Sequence, residues 1–178
     1  MIIGITGTIG AGKGMVALHL EGKGFRHISV SGFLAEKAML RKVPPTRVTR
    51  RMIGNEYRAQ GPTALIEAVL AEANPHKEDI VVESLHTVPE VEYIQHLGGK
   101  VISVDAPLIL RWERIKLERS VKDSGSYEEF VAEQNRQMKS DNPNENNLAA
   151  AVLAADAHIE NLGTPQELFR KVDAIVGR

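Results

Sequence analysis

The segment Gly7-Thr8-Ile9-Gly10-Ala11-Gly12-Lys13 has the residue types and spacing to hold a chain of phosphates. Its glycines permit a tight turn and let phosphate oxygens approach the backbone, where any Cβ would intrude. Successive N–H groups of such a turn point inward, and the start of the following helix adds partial positive charge. The Lys13 ammonium then reaches the outer phosphates. The expected ligand is ATP, with Thr8, Ile9, Gly10, Ala11, Gly12, Lys13, Gly14 and Met15 along its phosphates. In the general motif a Ser or Thr follows the lysine and its hydroxyl sits on Mg²⁺. Gly14 and Met15 follow here, so Mg²⁺ is left to phosphates, water and an acidic residue elsewhere.

Glu83 is the candidate for that acid. It ends the apolar run Ile80-Val81-Val82, and a carboxylate beside the phosphate-binding strand would hold Mg²⁺ waters or accept a hydroxyl proton. A strand-terminal acid facing solvent is the plain alternative. His86 stands just beyond, either in reach of an acceptor phosphate or as a loop histidine with no role. Arg111 and Arg114 lie on a helical pattern whose Leu108, Trp112 and Ile115 should face the core. The two arginines would project together over a transferring phosphoryl group, with Arg119 and Lys122 beyond them. A solvated helix face partnered by Glu113 and Glu118 explains the same charges without chemistry. A further basic group holds Arg41, Lys42, Arg47, Arg50, Arg51 and Arg58. Arg47, Arg51 and Arg58 fall close to one helical face, which suits an anionic acceptor.

These residues need a scaffold that brings strand ends and helix starts together. Strand-like runs are expected at Ile2–Thr6, Arg26–Val30, Asp79–Glu83, Lys100–Asp105 and His158–Glu160. Helical patterns cover Lys13–Glu21, Phe33–Leu40, Thr46–Gln60, Thr63–Ala73, Pro89–His96, Pro107–Arg119, Tyr127–Met138 and Pro165–Val176. Such alternation predicts an α/β fold: three layers, a parallel five-stranded sheet with helices on both faces, and ligands at the carboxyl ends of the strands. The polar run 141–147 reads as a loop. One domain over 1–178 is expected, carrying a small helical lid at roughly 111–138.

Composition narrows the classes. With 43% hydrophobic and 25% charged residues the chain is globular rather than disordered. A net charge of −1 argues against a nucleic-acid or anionic-membrane partner, so phosphate-binding charge must be local. Cysteine is absent, which removes disulfides and thiol chemistry. No run approaches the roughly 20 apolar residues of a membrane span, and no basic segment precedes an apolar one as in a signal peptide. A cytoplasmic location is expected. The strings G-x-S-x-G, H-E-x-x-H and Asn-Lys-x-Asp do not occur.

With these residues in view, the chain resembles the P-loop nucleotide kinase superfamily nearly end to end. It is similar in particular to small adenylate-kinase-related and dephospho-CoA-kinase-like proteins, many of them described as AAA family ATPases. Gly10-Ala11-Gly12-Lys13-Gly14 reads like the adenylate-kinase loop, and His27-Ile28-Ser29 with Ser31-Gly32 is similar to the stretch that opens its acceptor site. Phe33 stands where that family has Asp, and Glu36 where it has Arg. The blocks Gly54-Asn55-x-x-Arg58, Val82-Glu83-Ser84-Leu85-His86-Thr87 and Val104-Asp105-Ala106-Pro107 with Arg111-x-x-Arg114 look like the smaller subfamily. Ala155-Asp156-x-x-Ile159-x-Asn161-x-Gly163-Thr164 is similar to dephospho-CoA kinases, whose backbone there lies against adenine.

The resemblance implies transfer of the ATP γ-phosphate to a nucleotide-like acceptor. Lys13, Glu83, Arg111 and Arg114 would be catalytic, Asn161, Gly163 and Thr164 would hold the nucleotide, and Ser31, Arg51, Arg58 and His86 the acceptor. A nucleoside monophosphate kinase is the leading expectation. Dephospho-CoA kinase is one alternative. The other is a nucleotide-dependent switch or slow ATPase that acts on a protein partner, whose docking surface would be an exposed apolar patch.

Overall fold

Short β-branched runs form strands, and the amphipathic stretches between them form helices. The computed structural model describes all residues except 72, 74–76, 119–124, 141, 143 and 178. Strands β1 (Ile2–Gly7), β2 (Arg26–Ser29), β3 (Ile80–Leu85), β4 (Lys100–Asp105) and β5 (Ala157–Glu160) make one sheet in the order β2-β3-β1-β4-β5. Every pairing is parallel. Because β1 is central, the loop after it opens at the crevice where such sheets bind ligands.

The helices are α1 (Lys13–Glu21), α2 (Val30–Leu40), α3 (Arg47–Arg58), α4 (Ala64–Leu70), α5 (Val88–His96), α6 (Leu108–Glu118), α7 (Tyr127–Met138), α8 (Leu148–Leu153) and α9 (Pro165–Val176). Strand pleating sends alternate side chains to opposite faces. Ile2, Ile80 and Val82 meet Leu34, Leu65, Ile66 and Ile94 on one side. Ile3, Ile5 and Val81 meet Val16, Leu20, Leu168 and Val172 from α1 and α9 on the other. Each such fully buried aliphatic chain contributes about 1.5–3 kcal/mol, so the sheet is clamped between two apolar layers. Among the described residues no helix is long and apolar enough to cross a membrane.

The sequence expectations hold for strands and most helices, with three differences. Helix α2 begins at Val30 rather than Phe33, because the Ser29 side chain accepts from Gly32 N at 3.1 Å and caps it. Helix α8 was not expected; Asn147 caps it by accepting from Ala150 N. On α6, Trp112 and Ile115 do not reach the sheet core. Trp112 packs instead against Tyr127 and Phe130 of α7, while Arg111 is the buried residue of the helix, 4% exposed.

Candidate active site

The loop after β1 turns through left-handed backbone at Gly7 (φ +133°) and Gly12 (φ +103°). A Cβ on Gly7 would lie 1.9 Å from Val104 O, and one on Gly12 would lie 2.7 Å from Asn161 Nδ2. Neither position admits a side chain, so the backbone itself lines the cradle. Lys13 opens α1, and its ammonium donates to Thr8 O at 2.7 Å. Burial pushes its pKa down to about 8, against the pull of Glu83. Glu83 and Asp105 only partly offset that desolvation, and a phosphate chain laid on the loop would supply further counter-charge.

The loop is anchored from below. Asn161 Nδ2 donates to Ala11 O at 2.8 Å. Arg111 donates from Nε to Ala106 O at 2.7 Å and from Nη1 to Ile9 O at 3.0 Å. Asp105, ending β4, accepts from Thr8 Oγ1 and from Ala106 N and lies 3.8 Å from Arg111 Nε. Arg111 and Arg114, expected to project over the γ-phosphate, make other contacts in this structure. Arg111 is folded under the loop because backbone carbonyls satisfy its fork. Arg114 Nη2 donates to Asn161 O at 3.0 Å, with Nη1 buried and without a hydrogen-bond partner. Met15 packs its side chain on the apolar layer beside α1, leaving only its backbone for the loop. Arg119 and Lys122 lie outside the described residues.

On the α2–α3 side of the loop opens a cavity of about 300 Å³. It brings together Ile9, Gly10, Lys13, Ser31, Arg51, Arg58, Glu83 and His86 of the expected residues. Ser84, Arg47, Arg50, Glu133, Gln137 and Asn146 also line it, with Val30, Leu34 and Ile115 as apolar wall; Ser84 had no assigned role, and Glu133, Gln137 and Asn146 come from α7 and the loop after it. The only sequence signal for α7 is that Glu133 and Gln137 share a helix face with Phe130.

A bulge aims the carboxylate. Ile5 pairs with Glu83 and Thr6 with Leu85, so Ser84 is skipped and sits at φ +76°. A non-glycine residue there is strained by roughly 1–2 kcal/mol, and the bulge turns Glu83 and Ser84 toward the loop. Glu83 Oε1 lies 3.7 Å from where a Cβ on Gly14 would stand. Its Oε2 faces His27 Nε2 at 3.1 Å, which raises the His27 pKa. His27 is a contact the sequence did not reveal.

The basic residues differ in what they are committed to. Arg58 is buried, with Nε and Nη2 both 2.9 Å from Glu90 Oε1. Glu90 Oε2 accepts from His86 N at 2.8 Å and Thr87 N at 3.2 Å, so the pair holds the loop that carries His86. Burial, Lys13 and Arg58 push the His86 pKa down to about 3, leaving its ring neutral. Arg50 donates to Ser31 Oγ at 2.5 Å. Arg51 Nη1 is buried, 3.6 Å from Glu133 Oε2, and makes no hydrogen bond. A buried donor left so at a cavity wall fits an anionic ligand.

On the α9 side of the loop lies a separate cavity of about 540 Å³, lined by Asn161, Leu162, Gly163 and Leu168 among others. Thr164 is occupied in capping α9, accepting from Glu167 N. The phosphate loop therefore runs between two hollows, one basic and one beside the C-terminal loop. Among the described residues no three His, Asp or Glu side chains cluster as a metal site. The residues fit Mg²⁺ only as an ion held by phosphates and water, with Glu83 beside it.

Residues 3–136 match the model of the family AAA_18, an AAA domain. A UPF0200 protein of Methanothermobacter thermautotrophicus is 30% identical over 141 residues, 78% of this chain and 72% of its own. A UPF0200 protein of Pyrococcus abyssi is 27% identical over 184 residues, covering 99% and 95%. Among solved structures, TT1252 from Thermus thermophilus is similar with a TM-score of 0.60 at 26% identity, covering 99% of this chain and 96% of that one. Shikimate kinase from Bacteroides thetaiotaomicron gives a TM-score of 0.62 at 12% identity, covering 100% and 99%. That likeness is one of fold. The chain belongs to the AAA_18 family, its matched relatives are UPF0200 proteins, and its fold is P-loop kinase-like.

Proposed function

We propose that this protein is an ATP-dependent phosphotransferase whose acceptor is a nucleoside monophosphate or a similar nucleotide-like anion. The observation that carries the reading is the shared cavity: Lys13, Glu83 and the arginines of α3 face one space beside the phosphate loop. The loop and Lys13 hold the phosphates of ATP, and Asn161 and Gly163 border the hollow for its base. Mg²⁺, when bound, neutralises phosphate charge, and Glu83 would hold its waters. Arg50 and Arg51 neutralise the acceptor, since charge-assisted bonds to phosphate are strong in a partly dry site. Glu83 orients the attacking oxygen or takes its proton when that oxygen is a hydroxyl. Arg111 positions the loop through Ile9 O and does not touch the reacting atoms. The chain works as one domain, with a helical lid that excludes water; the stretch 119–124 of the expected lid lies outside the described residues.

The test is incubation with Mg·ATP and a panel of ribo- and deoxynucleoside monophosphates, dephospho-CoA and no acceptor, read by mass spectrometry. Phosphorylated product with one acceptor is expected. Equal, slow ADP formation in every tube would overturn the reading.

One observation favours a second reading, a nucleotide-dependent switch. Met39 (58% exposed) and Leu40 (68%) on α2 and Met52 (59%) on α3 are exposed apolar side chains. Exposed apolar groups of this kind suit a protein partner, and the equal-ADP outcome would select this reading.

A further inference from the structure

Next to the arginine-lined cavity lies another hollow of about 380 Å³ between α3, α6 and α7. Its character is different. Trp112, Ile115, Phe130, Ala132 and Val48 supply apolar wall. The Trp112 and Phe130 rings stand 5.5 Å apart, tilted by 31°, and Tyr127 meets Trp112 edge-on at 5.7 Å. These rings support one another, and only Phe130 among them is buried. Val48, 52% exposed, lies at the wall on the α3 side.

Half-exposed aromatic and aliphatic groups around a concave surface retain hydration that a flat apolar ligand would release. Arg47, Ile115 and Glu133 line both hollows, so the two are adjacent. Arg51 lines the first hollow, Trp112 the second, and Ile115 both. We propose that this second hollow receives a flat aromatic ring system of the acceptor. The acceptor is then a ring-bearing organophosphate, such as a nucleotide with its base against Trp112, rather than a small sugar phosphate or sugar acid. The inference rests on the phosphotransferase reading for its anionic end, while the ring site stands on the α3–α6–α7 geometry.

Trp112 is the single tryptophan of the chain, so its emission reports the site directly. The full chain, with a non-hydrolysable ATP analogue present, is titrated with nucleoside monophosphates, ribose 5-phosphate and inorganic phosphate. A ring-bearing phosphate is expected to change Trp112 emission saturably and to bind roughly tenfold more tightly than ribose 5-phosphate, the scale of one base stacking on an aromatic side chain. Ala132→Leu, which fills the hollow, should raise the KM for that acceptor roughly tenfold and leave the KM for ATP unchanged. Val48→Glu, on an exposed position, should act in the same direction and guards against misfolding of the first variant. Equal affinity for ribose 5-phosphate with unaltered Trp112 emission would overturn the proposal. So would phosphorylation of a ringless acceptor that neither variant affects, an outcome that leaves the phosphotransferase reading standing. Tight, ring-dependent binding without transfer would support the ring site and remove the phosphotransferase reading.

Discussion

His27 Nε2 on β2 lies 3.1 Å from Glu83 Oε2 on β3, which leaves Glu83 Oε1 toward Gly14 and the phosphate loop. The histidine fixes the rotation of the carboxylate. Partners that orient an ion-facing carboxylate are typically worth 10–100-fold. His27→Ala should lower kcat by about tenfold with the KM for ATP unchanged, and His27→Gln should restore most of it. A changed KM for ATP with normal kcat would contradict the positioning role. The same contact has a pH signature. Glu83 raises the His27 pKa above 6.5, so the stability of the pair is fully present below the unfolded value. It is lost as pH rises through the folded value. Thermal melts of wild type and His27→Gln should differ most at pH 6 and converge toward pH 9.

Lys13 provides a second pH test. Its ammonium is held at a pKa of about 8 by burial, and a bound triphosphate should raise that value. Between the free and bound values the protein takes up a proton on binding. The affinity for ATP should therefore weaken as pH rises above about 8, and calorimetry in buffers of different ionisation enthalpy should detect the uptake. Lys13→Ala should remove the proton uptake and lower turnover about 10²–10³-fold.

Arg58 and Glu90 form a buried ion pair, 3% and 1% exposed at their side chains. Breaking such a pair strands a charge and costs about 3–5 kcal/mol. Arg58→Met or Glu90→Gln alone should lower stability on that scale in urea unfolding. The double variant should recover a substantial part, because neither charge is then left alone. Additive losses would show that the two act independently.

Asn161 holds the loop through Ala11 O, on the side proposed to take the nucleotide. Asn161→Ala leaves that carbonyl unpaired and opens space against Gly12. An increase in the Kd for ATP of about tenfold is expected, the scale of one buried hydrogen bond. Isothermal titration would measure it, and an unchanged Kd would place Asn161 outside the nucleotide site.

Most of the scaffold was legible because its signals are local. The β-branched runs and the Gly-rich turn after the first of them are enough to place β1, β3 and β4 around the loop. Lys13, Glu83 and His86 were legible as neighbours because the start of α1 and the end of β3 both lie beside the loop after β1, and the three line one cavity. The burial of Arg111 was not legible for a physical reason: a charged side chain is expected to stay wet, yet the carbonyls of Ala106 and Ile9 satisfy it under the loop. The bulge at Ser84 has no sequence signature, since the strain there is sustained by the neighbouring pairs. Glu133 and Asn146 join the cavity only because α7 and the following loop fold back on α3, a relation that spacing along the chain does not encode.

The central claim is that phosphoryl groups pass to an acceptor instead of to water. It is tested most directly by the ratio of phosphorylated acceptor to free phosphate formed per ADP in a single turnover, for wild type and for Arg51→Met. The expected result is close to one phosphorylated acceptor per ADP for wild type, with a shift toward free phosphate when Arg51 is removed from the cavity. Free phosphate in equal amount with and without every acceptor, unchanged by Arg51→Met, would contradict it.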